Sequence, residues 1–296
     1  MLLFGPQEQR HLIGVSAHRE ISSKLCGYPA AQQLSREVYD FYGDYLRYTE
    51  SRNFTSSTFA INLQHEPIAL RSAEIKLQVG TDRVAESLAH ELLHLCLPML
   101  GFPLGELMWI PLQLDPYARD FLQMSQWVLN LVQHEISFQS FITLGFEKKY
   151  FLSKHLKPMD YRKLFNRKSE NGYVAEVDFP RWCIAYLGHL FTARHGRNEE
   201  CMHYAQDALD WGSRLYPELK GAIVAINRWF DKGAFKDPYQ YPREVNVLLE
   251  LMRIPKYNGW VILELSESQK PIAVRLENIG VYGDGPDRAI SILPSY

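Results

Sequence analysis

The residues with the most specific chemistry in this sequence are His90, Glu91 and His94, in the order His90-Glu91-Leu92-Leu93-His94. On a helix, side chains four positions apart stand one above the other on one face. Two imidazoles at that spacing can close on one ion, and neutral imidazole nitrogen binds zinc at about 2.0–2.1 Å. Glu91 neighbours the first ring and is not needed as a ligand. Its carboxylate suits a general base that takes the proton of a metal-activated water. Zinc lowers the pKa of such a water to about 7 and polarises a substrate carbonyl. The chemistry therefore needs the His-Glu-x-x-His order and not merely two histidines. The plainer reading is a packed helix, with Leu88, Leu92, Leu93 and Leu95 inside and two histidines near its surface.

Two histidines make a catalytic zinc site only with a third protein ligand, water completing the shell. The leading candidate is His134, in Trp127-Val128-Leu129-Asn130-Leu131-Val132-Gln133-His134-Glu135-Ile136. It shares a stripe with Trp127, Leu131, Phe138 and Phe141 and so should face inward. Glu135 is the alternative, on a mixed stripe with Val132 and Gln139. Asn130, one turn before His134, is placed to orient a ligand from behind. Glu106, Asp115 and Asp120 are lesser candidates. An ordinary core histidine with a hydrogen-bond partner is the other reading of His134.

The run Ala85-Glu86-Ser87-Leu88-Ala89-His90-Glu91-Leu92-Leu93-His94-Leu95, preceded by an extended Ala73–Val79, resembles the zincin metallopeptidases. The resemblance covers residues 73–145, about a quarter of the chain. It implies His90 and His94 as zinc ligands, Glu91 as general base, and a strand that edges the cleft and aligns peptide substrates. The metzincin branch would need glycine at 97 and histidine at 100, where this chain has Leu97 and Leu100. The thermolysin-like branch places a glutamate about two dozen residues on, where this chain offers Asp115 and Asp120. A second helix handing a ligand to the first is the gluzincin-like arrangement. The implied reaction is zinc-dependent peptide hydrolysis, in which zinc and Glu91 activate the attacking water and Glu91 passes its proton to the leaving amine. A tyrosine or histidine of the C-terminal half would stabilise the oxyanion, from among Tyr161, Tyr173, His189 and His195. The rival functions are a catalytically inactive zincin-like binding protein and a helical interaction module built on residues 198–230.

Other groupings are weaker. Cys183, His189, His195, Cys201 and His203 are ligand types in a short span, but their spacing matches no zinc finger or knuckle. No glycine-rich phosphate loop and no Gly-x-Ser-x-Gly elbow occurs.

These residues need elements to position them. The periodicity of Leu34, Val38, Tyr42 and Leu46 predicts a helix over 30–52. Residues 58–63 and 73–79 read as strands, the second alternating polar and apolar positions. The motif helix should run over 83–97, capped by Thr81 or Asp82 and stopped by Pro98. Residues 99–116, rich in proline and glycine, read as a loop, and a second long helix should span 117–144 and end at Gly145. Further helices are expected at 181–194, 198–216 and 222–230, and a terminal hairpin from 260–265 and 271–276.

The expected fold is α+β: a small N-terminal sheet packed on the motif helix and a second long helix, then a mostly helical C-terminal half ending in the hairpin. The cleft should lie between the strands and the second helix. Residues 1–145 would form a zincin-like metal-binding domain and 146–296 the C-terminal region. At 296 residues and 46% hydrophobic content, the chain can bury a large core. A net charge of −2 does not call for nucleic acid or an anionic membrane as the main partner; a peptide or protein substrate is what the zincin resemblance implies. No apolar run reaches the roughly 20 residues of a membrane span. The short apolar start lacks a basic region, and the four cysteines are far apart, so a cytoplasmic protein with reduced thiols is expected.

Overall fold

The computed structural model describes residues 10–54, 56–64, 69–78, 80, 82–106, 118–151, 175–195, 199–257, 259–268, 271–276 and 290–291. The fold is a mixed α+β arrangement, as expected.

Its N-terminal part contains β1 (Arg10–Ile13), α1 (Val15–Lys24), α2 (Pro29–Tyr42), β2 (Leu46–Ser51), β3 (Thr58–Gln64) and β4 (Ala69–Gln78). In α2 the buried positions Ala31, Leu34, Ser35, Val38 and Tyr42 form one stripe. The helix does not continue to residue 52. Gly43 takes φ +52, a region glycine enters freely, and the chain passes through a single 3-10 turn into β2. Leu46 continues the helical spacing in the sequence, but Leu46 and Tyr48 bury the same face of a strand instead.

β2 and β4 are parallel, pairing Leu46 with Ala73 and Tyr48 with Ile75. Their inward residues Ala73, Ile75 and Leu77 pack with Leu34, Val38 and Tyr42 of α2 and with the motif helix α3 (Val84–Met99). The Tyr42 hydroxyl donates to the Leu95 carbonyl at 2.8 Å and ties α2 to α3. β4, the strand that leads into α3, lies inside the sheet between β2 and β3. The resemblance implied that this strand edges the cleft. β3 runs antiparallel to β4 on the side away from β2, and among the described residues it pairs with β4 alone.

α3 begins after Arg83, which makes no side-chain capping bond, so Asp82 is not its cap. Thr81 lies outside the described residues. Pro98 does not stop the helix either. Its ring removes one backbone donor but keeps a helical φ, and the last turn runs on to Met99 before Leu100 closes it. β5 (Leu104–Glu106) then occupies part of the stretch expected to be loop, and pairs with β6 (Gly259–Leu265).

The long helix α4 (Ala118–Thr143) ends, as expected, beside Gly145 with φ +96. Its Met124, Val128, Leu131 and Val132 join one apolar cluster, and its Phe141 joins the other. The first cluster is completed by α5 (Ala175–Arg194), α6 (Glu199–Leu215), α7 (Leu219–Lys232) and α8 (Tyr241–Leu251). The terminal hairpin forms from β6 and β7 (Pro271–Leu276) in the expected register range. It is part of the main sheet, because β7 joins β4 where Ile272 pairs with Ala69. With β8 (Ile290–Ser291) on β7, one eight-stranded sheet draws on both ends of the chain. Residues on either side of position 145 thus share a sheet and a core.

Candidate metal centre

α3 stacks His90 over His94, and α4 crosses it to bring His134 against the pair. His134 Nε2 lies 3.0 Å from His90 Nε2, and His94 Nε2 lies 3.3 Å from His90 Nε2. The three rings offer ligand atoms that all lie within 4.8 Å of one another. Tetrahedral bonds of about 2.0–2.1 Å to a common ion would space ligand nitrogens about 3.3 Å apart, so two of the three edges already match. These side chains can hold a metal ion. Among the described residues they are the one group of metal-ligating side chains gathered in this way.

The rings are prepared for that by burial. His94 is 3% exposed and His134 7%, while His90 keeps partial access to solvent. Loss of water disfavours an imidazolium and pushes His90 down to about 4. Burial and the mutual repulsion of neighbouring rings hold His94 and His134 well below the usual histidine range. All three are neutral at pH 7 and keep a lone pair for a cation.

Aromatic side chains fix the planes. Phe59 of β3 stacks on His94 with centroids 4.3 Å apart and planes 9° from parallel. Phe151 lies tilted against His90 and edgewise against His134. The Phe151 main chain faces His90, although His90 Nδ1 makes no hydrogen bond of good geometry. On His94, Nδ1 meets Gln133 Oε1 at 3.0 Å. No hydrogen bond joins Asn130 to the three rings among the described residues, so the amide at a ligand ring is Gln133.

Glu91 follows His90 on α3 and is 6% exposed. Burial pushes its carboxyl up to about 8. A dication on the adjacent rings would act in the opposite sense. A buried carboxyl with no basic side chain near enough to lower its pKa is costly as structure and is common at sites of proton transfer.

Glu135, the alternative third ligand, is turned away from the rings. Its two oxygens face His195 Nε2 at 3.4 Å and Lys236 Nζ at 3.6 Å. Burial raises its carboxyl, but the His195 ring and the Lys236 ammonium outweigh that and hold it below the usual range. Asp115 lies outside the described residues, as do the side chains of Glu106 and Asp120.

Of the oxyanion candidates, Tyr161 and Tyr173 also lie outside the described residues. His195, just past the end of α5, packs tilted against Phe138 with centroids 4.1 Å apart, and a charge on it would repel one on His134. His189 packs against Tyr204, away from the three rings. Cys183 and Cys201 are buried, and His203 is exposed beside Asp207. That span does not gather into a second centre among the described residues.

Sequence reasoning missed Gln133, Phe59 and Phe151. The one signal for Gln133 was its place directly before His134. No family model matches the chain, and neither a curated protein nor a solved structure matches it. Among the described residues, no helix is long and apolar enough to cross a membrane.

Proposed function

We propose that this chain is a zinc-dependent hydrolase of peptide bonds, with His90, His94 and His134 as metal ligands and Glu91 as general base. The observation that carries the reading is the meeting of three neutral imidazoles from two helices, two buried and one partly exposed, with a buried carboxyl one residue from the first ligand. Three uncharged nitrogen donors suit zinc and match a catalytic set of three protein ligands. Zinc held there supplies Lewis-acid polarisation of a carbonyl and a more acidic water.

The chain's own residues supply the rest. Glu91 takes a proton from the attacking water and returns it to the leaving amine. Its burial fits that exchange, because a base with a raised pKa also gives its proton back readily. Partial exposure of His90 leaves the approach on that side. The outer main-chain edge of β3 is a place where an extended peptide could add as a strand, with Phe59 joining that edge to His94. This is the arrangement that the zincin resemblance implies, carried by β3 instead of the strand before the helix.

The burial of His94 and His134 under two phenylalanines favours a second reading, a structural metal site in a binding protein. Glu91 separates the two. Zinc-loaded Glu91→Gln should keep its metal and lose peptide hydrolysis against a peptide library. Equal cleavage by both proteins removes Glu91 as the base, and no cleavage by the zinc-loaded wild type favours the structural site.

A further inference from the structure

We propose that Gln133 is the positioning residue that sets His94 in its metal-binding tautomer. The inference rests on the three-histidine metal reading and names the device that makes one ring ready.

A histidine can offer Nε2 to a metal only if its proton sits on Nδ1. Free imidazole side chains favour the opposite tautomer, so a buried ligand ring needs an acceptor at Nδ1. Gln133 Oε1 stands there at 3.0 Å. With that oxygen as acceptor, His94 carries Nδ1–H, and its Nε2 lone pair faces His90 Nε2 at 3.3 Å. Phe59 lies flat on the ring, so rotation out of this bond meets the phenyl face. His90 Nδ1 and His134 Nδ1 make no hydrogen bond. Among the described residues Gln133 is therefore the one side-chain acceptor serving the three rings.

The local architecture explains how one helix does both jobs. Neighbouring residues on a helix point about 100° apart. On α4, His134 reaches the centre and Gln133 reaches around the far side of His94. A reversed amide would put its NH2 group against Nδ1 and enforce the wrong tautomer. Because the amide is neutral, the rings gain orientation without a carboxylate in the core.

The test uses the full chain. In the metal-free wild type, long-range proton–nitrogen NMR should read His94 as Nδ1–H. Gln133→Met, close in shape but without the acceptor, should shift it toward Nε2–H. In a cobalt(II) titration the same variant should bind about 10–100-fold more weakly and show altered visible bands, while Gln133→Glu restores wild-type affinity. Thermal unfolding of each metal-free variant reports the fold separately. An unchanged tautomer and cobalt affinity in folded Gln133→Met overturns the role of Gln133. A wild type with Nδ1–H on His94 that takes up no cobalt(II) sinks the metal reading itself, which separates the two failures.

Discussion

Glu91 carries a carboxyl pushed up to about 8 by burial, against an ordinary value of 4.5 in the unfolded chain. Between those values the metal-free folded protein holds a proton that the unfolded chain has released. This contribution to stability is full below about 4.5 and is lost as pH rises through about 8. His90, held down to about 4, acts with the opposite sign, and its contribution is lost as pH falls from 6.5 toward 4. Glu91→Gln removes only the first effect. The metal-free variant should match wild type near pH 4 and exceed it near pH 9, by on the order of 1–3 kcal/mol. Urea unfolding across that range checks this, and parallel curves for the two proteins would show that Glu91 is not strained by burial. The site's residues were legible to different degrees. His90, Glu91 and His94 follow from spacing alone, and His134 follows from its apolar stripe. Gln133 does not, because its partner depends on how far α4 is rotated against α3, which no local pattern encodes.

At the scale of elements, the helical half depends on close approach. A Cβ on Gly212 of α6 would lie 2.5 Å from Leu219 and 2.9 Å from Trp182 of α5. Gly212→Ala should therefore destabilise the fold by about 1–3 kcal/mol despite its better helix propensity. Thermal unfolding measures the change, and a stabilised variant would mean that the helices separate more easily than their packing implies. The Tyr42 bond across α2 and α3 is a second brace. Tyr42→Phe leaves the Leu95 carbonyl without that donor and should cost about 0.5–1.5 kcal/mol. Long periodic elements such as α3 and α4 were readable because their faces repeat over several turns. β2 was not, because Leu46 continues the spacing of α2 across Gly43. α1 buries only Ala17 and Ile21 and gives little periodicity. α8 starts at Tyr241-Pro242, where proline suits the first turn but reads in sequence as a break. β5 has three residues, and its strand character comes from β6, far along the chain.

The whole molecule is closed by its last strands. Val261 and Leu263 of β6 are buried in the same cluster as the N-terminal helices and strands. A chain ending at residue 257 should lose cooperative unfolding, and a cooperative thermal transition in that truncation would show that the N-terminal strands stand alone. This closure was the part of the fold least visible in the sequence. The hairpin was readable, but its docking on β4 is a pairing between residues about 200 positions apart that no local pattern reports. Inside this closed frame, α3 and α4 meet at three imidazole nitrogens, and that meeting is the centre of the account. Zinc content per chain, measured by elemental analysis after purification without added chelator, tests it most directly. The account predicts one zinc in the wild type and in Glu91→Gln, and its loss in His90→Ala, His94→Ala and His134→Ala. A wild type without bound zinc, or a folded His134→Ala that retains a full equivalent, would contradict it.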